Sequence, residues 1–441
     1  MDSDNNKHDE DSLYRESLDF LFSQLPMFSR VGAAAYKPGL DTSLRLDEYF
    51  GHPHRRYRTI HVAGTNGKGS VSHSLASILQ AHGYRTGLYT SPHLVDFRER
   101  MRVDGEMIPR SEVIDFVRKW RGCGYDGHPS FFELTMMMAF RWFARMEVDV
   151  AVIEVGMGGR LDSTNIITPE ACVITNISPD HTQFLGATLP EIAREKAGII
   201  KPGIPVTIGE AQGEVRKVFE STAESVGAPI VFAEDSPRLI KAEETENLAG
   251  WRCTDADGLE FTVPLAGDYQ KRNINTVLTA VGMLRRNGYD INDSGITEGL
   301  GNVTSRTGLR GRWTVISESP LTIADTGHNE AGLGYNIAQL RRLMSRRSGG
   351  KLRMVIGFVA DKAIDKILGL LPKEALYYVT NADIPRALKA DILLRKMTDA
   401  GFEARQYPDP KTAARQALED SAPSDIIYIG GSTFIVADSL K

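Results

Sequence analysis

The chain has 441 residues, 41% of them hydrophobic and 25% charged, with a formal net charge of -5. That length makes two domains the default, and the slight acidity leaves no broad electrostatic footprint for nucleic acid. Cys123, Cys172 and Cys253 lie far apart, which argues against a disulfide framework or a cysteine zinc site and for a reducing compartment. No apolar run reaches the roughly 18 residues of a membrane span, and the polar N-terminus lacks a signal-peptide pattern. The expectation is a cytoplasmic protein with no nucleic-acid or membrane partner.

In chain order, residues 1–12 read as a disordered tail. An amphipathic helix follows, with Leu13, Leu18, Leu21 and Phe22 apolar. Thr59–Ala63 is predicted as a strand, then a glycine turn, then a helix over about 70–82. Arg85–Tyr89 is a second strand. Phe132, Met136, Phe140 and Phe143 form one apolar stripe on a helix near 130–146, read as a core face. Val148–Val155 and Ala171–Ile177 are near-continuous apolar runs, as strands buried on both faces are. This alternation predicts a parallel sheet with helices on both sides.

The stretch 210–264 is less regular and reads as a small sheet appended to the first domain. A helix follows over about 273–287. The Gly- and Thr-rich text from Asn292 to Arg312 marks the boundary between a first domain over 13–311 and a second over 312–441. Leu321–Ala324, Arg353–Ile356, Leu376–Thr380 and Ile426–Ile429 are short strands with helical text between them, a second doubly wound sheet. The paired arginines at 55–56, 341–342 and 346–347 read as solvated surface.

The turn Gly64-Thr65-Asn66-Gly67-Lys68-Gly69-Ser70 between a buried strand and a helix is a phosphate cradle. Glycines admit close backbone approach, the helix N-terminus is partly positive, and Lys68 supplies a full charge. Ser70 offers a hydroxyl to a magnesium ion on the same phosphates. Polar residues recur at other strand ends, where open parallel sheets bind ligands: Thr90-Ser91-Pro92-His93, Glu154, Asp180-His181, Asp325 to Asn329, Gly357 to Lys362 and Gly430-Gly431-Ser432. Glu154 ends an apolar strand, so its carboxylate must be paired, hydrogen-bonded or metal-bound. Magnesium shared with Ser70 is one answer, and a salt bridge to Arg160 is the other. Asp325 is read as an acceptor for a ribose hydroxyl or an ammonium group, and His328 and Lys362 as groups that approach phosphates.

The ordered set HVAGTNGKGSV, TSPHL with FRERMRVDGEMI, FFELT, VIEVGMGGRLDSTN, ITNISPDHTQFLG, EKAGIIKPGIP, DTGHN and GGSTFIVAD resembles the folylpolyglutamate synthase/dihydrofolate synthase family within the Mur ligase superfamily. The turn is shorter than the ordinary GxxxxGK[ST] loop and has Gly69 between Lys68 and Ser70. The resemblance implies an α/β architecture: a P-loop-type parallel sheet with helices on both faces, then a smaller C-terminal Rossmann-like α/β domain. It also implies an ATP-dependent ligase that joins L-glutamate to a pteroyl carboxylate, of dihydropteroate or tetrahydrofolate, through an acyl phosphate.

On that resemblance Lys68, Glu154, His181 and Lys196 are the catalytic group. Gly64 to Ser70, Asn273, Arg312, Asp325 and His328 bind ATP. Ser70, Glu154 and His181 hold magnesium, as two ions, and Lys196 matches a lysine carbamylated in the superfamily. Ser91, Pro92, His93, Phe97, Arg100, Phe132, Glu133 and Thr135 match the pterin-side pocket. The family often has His where this chain has Tyr269, and DGAHNP where it has Asp325-Thr326-Gly327-His328-Asn329-Glu330. Three versions stay open: dihydrofolate synthase, folylpolyglutamate synthase, or both in one monomeric chain, the last being favoured. A Mur-type ligase for another carboxylate and a nucleotide switch without ligase chemistry are the alternatives.

Overall fold

The computed structural model describes residues 2–25, 39–360 and 362–441, with the backbone alone for residues 2–8. Asp361, named above at a strand end, lies outside the described residues. The first sheet has eight strands. In spatial order they are Glu106–Met107, Met101–Val103, Thr86–Tyr89, Val150–Glu154, Arg58–Ala63, Ala171–Ile174, Val206–Ile208 and Ile230–Phe232. The last six run parallel, and the first two form an antiparallel edge. Val150–Glu154 is buried at every position, which explains its unbroken apolar text.

Helices cover both faces. Lys68–Ala81, Gln270–Arg286 and Asp293–Gly301 enclose one core with Ile60, Val62, Val152 and Val173. Phe131–Arg145 and Arg110–Gly122 enclose the other with Tyr89, Ala151 and Ile153. Ser130 starts the helix Phe131–Arg145 as a capping box with Glu133. A second sheet, in the order Thr314–Glu318, Leu321–Ala324, Ile426–Gly430, Leu352–Ile356, Leu376–Val379 and Glu403–Gln406, is parallel except at its first strand. Both sheets therefore point their carboxyl ends at loops that meet. Among the described residues no helix is long and apolar enough to cross a membrane.

Three expectations change. The first helix begins at Asp2 and runs to Gln24, where a disordered tail had been expected to residue 12. Asp11 and Glu16 pair with Arg110 and Arg121 of the neighbouring helix, so charge and apolar contacts together fix it. Within 210–264 only Leu239–Glu244, Trp251–Asp255 and Glu260–Val263 form a separate sheet. Helix Gly213–Ser225 and strand Ile230–Phe232 instead complete the main sheet. Strand Ala171–Ile174 stops three residues before Ile177, because residues 175 and 176 turn to bond the glycine loop.

Gly299 sets how closely two helices cross. A Cβ there would stand 2.5 Å from Ile78 Cα and 2.8 Å from its nitrogen, backbone atoms that cannot step aside. Gly334, inside helix Glu330–Ser345, has nothing within 4 Å of the same position. Gly299→Ala should lower the urea midpoint by the equivalent of about 1–3 kcal/mol. Gly334→Ala should raise it by about 0.4–1 kcal/mol through the unfolded chain.

Candidate active site

The glycine turn is shaped by what lies behind it. Gly64 and Gly67 take φ of 142° and 87°. A Cβ at Gly64 would overlap Thr175 Oγ1, and one at Gly67 would overlap Asn273 Oδ1. Thr175 Oγ1 and Asn176 Nδ2 donate to Asn66 O at 2.6 and 3.0 Å, and Asn66 N donates to Asn176 Oδ1 at 3.1 Å. The turn feeds helix Lys68–Ala81 with no side-chain cap on its first N–H groups. A fourteen-residue helix then presents its positive end uncapped, as an anion site requires.

Two lysines converge on this loop. Lys68 Nζ donates to Gly64 O at 3.1 Å and Thr65 O at 3.2 Å. Lys196 Nζ donates to the same Gly64 O at 2.8 Å. Lys196 is buried, and burial, assisted by the charge of Lys68, lowers its ammonium to about 7. It therefore supplies a neutral amine near physiological pH, the species that carbamylation needs.

Glu154 is 3% exposed. Oε2 accepts from Ser91 N at 3.1 Å, and among the described residues Oε1 has no hydrogen-bond partner. Burial raises this carboxyl, opposed by Lys68, the Ser91 N–H, Arg312 and Arg100. The alternative pairing with Arg160 does not form, because Arg160 Nη2 binds Glu195 Oε1 at 2.8 Å. Ser70 Oγ accepts from Gln270 Nε2 at 3.1 Å, and Gln270 Oε1 accepts from Asn273 Nδ2 at 2.8 Å.

Among the described residues no three His, Cys, Asp or Glu side chains are grouped to hold a metal. Magnesium needs no such cage, since one or two protein ligands and substrate phosphates suffice. The half-used Glu154 carboxylate fits that demand. Burial lowers His181 to about 4, against the pull of Asp180 and with the help of Lys362, His328 and Lys68. Its ring is therefore neutral at pH 7, as a metal ligand must be.

The second domain reaches the loop through Asp180. This carboxylate accepts from Lys362 Nζ at 2.5 Å and Asn329 Nδ2 at 3.1 Å, with His328 Nε2 at 3.4 Å. Burial works to raise it, but His328, His181 and Lys362 hold it well below the carboxylate range. Asn329 Nδ2 also donates to Asn66 Oδ1 at 3.0 Å, joining the second sheet to the glycine turn. Arg312 lies beside Gly69 and donates to Gly311 O and Thr326 Oγ1.

Asp325, expected to contact the nucleotide, is also engaged by the protein itself. Its oxygens accept from Tyr269 Oη at 2.6 Å and from Trp313 N, Gly327 N and Asn336 Nδ2 at 2.7 Å each. Four short donors leave it positioning the turns around Arg312 and His328.

On the other side of Glu154, His93 Nδ1 accepts from Arg100 Nε at 2.8 Å, and burial pushes His93 down to about 3. Arg100 stacks over Phe131 at 5.3 Å, and Phe22, Phe97 and Phe131 close an aromatic box. Ser91–Pro92 is a cis peptide. Phe132 packs against Gly156 and Tyr89. Glu133 and Thr135, expected in the pocket, make hydrogen bonds at their own helix, and Glu133 also to the helix Asp41–Tyr49. Glu133 accepts from Ser130 N at 2.7 Å and Ser43 Oγ at 3.2 Å, and Thr135 Oγ1 donates to Phe131 O at 2.7 Å.

Sequence reasoning singled out neither Asp180 nor Gln270 nor Asn329 as site residues. Their one signal is a polar residue at a strand end or helix start. A cavity between the domains brings Gly69, Ser91, His93, Glu154, Arg312 and Thr433 to one space.

The family model described as Mur ligase middle domain matches residues 62–281, and that of the Mur ligase, glutamate ligase domain matches 311–433. A Haloferax volcanii protein named "Probable bifunctional folylpolyglutamate synthase/dihydropteroate synthase" is 34% identical over 97% of this chain, which spans only 50% of that longer protein. The dihydrofolate synthase/folylpolyglutamate synthase of Bacillus subtilis is 31% identical over 92% of this chain and 95% of its own. Among solved structures, E. coli FolC in complex with DHPP and ADP superposes with a TM-score of 0.80 at 29% identity, covering 97% of this chain and 96% of that one. A bifunctional folylpolyglutamate synthase/dihydrofolate synthase with Mn, AMPPNP and L-glutamate bound superposes with a TM-score of 0.77 at 30% identity, covering 91% and 93%. The chain belongs to the folylpolyglutamate synthase/dihydrofolate synthase family of ATP-dependent ligases.

Proposed function

We propose that this chain joins L-glutamate to the carboxylate of dihydropteroate and of tetrahydrofolate, with both activities in one cleft. The observation that carries the reading is the shared cavity. It sets the uncapped helix end at Gly69 and the buried carboxylate of Glu154 against the Ser91–His93 turn on one side and Arg312 on the other. The site is assembled within one chain, which supports a monomeric enzyme. The ligands named for the two solved relatives support ATP and a divalent metal as its co-substrate and cofactor.

A carboxylate is a poor acyl donor, being anionic and without a good leaving group. In the first step its oxygen attacks the γ-phosphorus of ATP, the bond to the bridging oxygen breaks, and ADP leaves with the electron pair. In the second step the glutamate amine attacks the acyl phosphate carbonyl, loses a proton, and expels phosphate. Lys68, the N–H groups of the helix start and Arg312 neutralise charge that builds on the phosphates. The neutral His93, Arg100 and the aromatic box would hold the pteroyl end, and Asn273 would fix the loop through Gly67. Ser70 and Glu154 would hold one magnesium ion and His181 a second. When bound, magnesium would offset phosphate charge and align the triphosphate. A carbamate on Lys196 would turn a buried cation into a carboxylate beside that site.

The purified chain, given magnesium, ATP and L-glutamate, should release ADP when either dihydropteroate or tetrahydrofolate is added. Activity with neither acceptor would sink the folate reading, and activity with one alone would make the chain monofunctional. Lys68→Ala and Glu154→Ala should each lower turnover by about 100- to 1000-fold. A Glu154→Ala enzyme with an unchanged magnesium titration would remove Glu154 from the metal site.

For Lys196 the sign follows from its lowered ammonium. Below about pH 7 the amine is protonated and cannot capture CO2, and above it the neutral form can. With 13C-labelled bicarbonate, a carbamate resonance should grow as pH rises through 7 and be missing in Lys196→Arg. A spectrum without it at pH 8.5 would refute carbamylation.

A further inference from the structure

A second cavity lies against the catalytic cleft. The two share Glu99, Arg102, Gly308, Leu309, Arg310 and Arg312 as a common wall. The second is also bounded by Pro264, Leu265, Thr304 and Val315, so its lining is apolar between charged points. Three arginines, Arg102, Arg310 and Arg312, therefore line both cavities, and none of the steps above uses Arg102 or Arg310.

Arg102 is 8% exposed. Its guanidinium lies flat against Gly308, where a Cβ would stand 2.9 Å from Nη2 and 3.0 Å from Cζ. Nη1 donates to Gly105 O at 2.8 Å. Among the described residues that is its one acceptor, and Nε is buried with none. A guanidinium has five N–H donors, and burying it so poorly satisfied is costly.

Neighbouring carboxylates do not discharge it. The oxygens of Glu99 accept from Leu94 N, Val95 N and Asp96 N at 2.7, 3.1 and 3.0 Å. Asp96 is paired with Arg98 at 2.7 Å and accepts from Tyr14 Oη at 3.2 Å. Arg310, half exposed, approaches Glu99 only to 3.8 Å. The wall thus keeps donors for an anion that arrives from outside.

We propose that Arg102 and Arg310 form a groove that binds the α-carboxylates of a γ-linked oligoglutamate tail on an already glutamylated pteroyl substrate. The proposal rests on the folylpolyglutamate reading above. Each γ-linked glutamate leaves one α-carboxylate free, with two methylenes between successive amides. Such a tail is a chain of spaced anions on an apolar backbone. Guanidinium forks match carboxylates in pairs of parallel hydrogen bonds, and Pro264, Leu265 and Leu309 offer apolar surface to the methylenes. Dihydropteroate carries no such group, because its one carboxylate is the reacting one.

That asymmetry defines the experiment. KM is measured for the full chain, with magnesium, ATP and L-glutamate, using dihydropteroate, tetrahydrofolate and its triglutamate as acceptors, in wild type, Arg102→Met and Arg310→Ser. Arg102→Met should raise KM for the triglutamate by about tenfold or more, the effect of losing one charge-assisted contact. Arg310→Ser should raise it by a smaller factor, and both should leave KM for dihydropteroate within about twofold. Met keeps the length of the stem and removes a buried charge, so the Tm of that variant should not fall.

An equal rise with dihydropteroate, or an unchanged triglutamate KM in both variants, would overturn the groove. A lowered Tm in Arg102→Met with no KM change would make Arg102 a support for the Gly105 turn. If wild type ligates dihydropteroate alone, the parent ligase stands and the groove falls. If it ligates neither acceptor, both fall.

Discussion

Two lysine ammonium groups share the carbonyl oxygen of Gly64. In a buried site two positive charges so close repel strongly, and Glu154, Asp162 and Asp180 act on them from a distance, with no salt bridge to either lysine among the described residues. One answer is on the page: Lys196, the more buried, is pushed toward its neutral form while Lys68 stays free to reach an anion. The other is the ligand. A loop with an uncapped helix end and an ammonium folded back on its own carbonyls is electrically unfinished. A polyphosphate completes it by replacing weak backbone acceptors with charged ones. The glycines and the Thr175 and Asn176 bonds to Asn66 hold the loop around that carbonyl in place.

The same imbalance explains how the second domain is engaged. Asp180 gathers Lys362, His328 and Asn329, while Asn66 bonds Asn329 directly. Lys362, His328 and Asn329 of the second domain are thereby ordered at the edge of the glycine turn. Preorganised donors of this kind cost little reorganisation when charge develops. Asp180 is thus a positioning residue: it carries the charge that lets two sheets present their positive groups to one space.

Much of this was legible in the sequence, for a physical reason. Buried parallel strands require unbroken apolar text, and a phosphate turn requires glycine where φ is positive, so Val150–Glu154 and Gly64–Ser70 stood out. What one dimension does not separate is polar residues that look alike in it. Asp325 and Glu154 both end apolar strands, yet Asp325 is saturated by four donors from Tyr269, Trp313, Gly327 and Asn336, while Glu154 receives one. Only long-range packing decides which carboxylate is left for a ligand. Glu133 is a different case. Its spacing from Ser130 is that of a capping box, and this local rule outweighed the motif in which it sits. The start of the N-terminal helix read as a tail because its acidic text finds a partner, Asp11 with Arg110, about a hundred positions away.

Tyr269 marks where this chain departs from its family's usual histidine, and the geometry gives the change a meaning. Burial, with Asp325 close by, holds the phenol protonated far above its ordinary range. It is then a donor at every working pH, and its 2.6 Å bond to Asp325 does not switch. An imidazole in that place would add a titration to a carboxylate that already fixes the Trp313 and Gly327 backbones. Because those turns adjoin Arg312 and His328, a permanent donor at 269 keeps this one linkage through Asp325 independent of local protonation. Residue 269 thus belongs, in this chain, to the hydrogen-bond network that holds the turn beside Arg312.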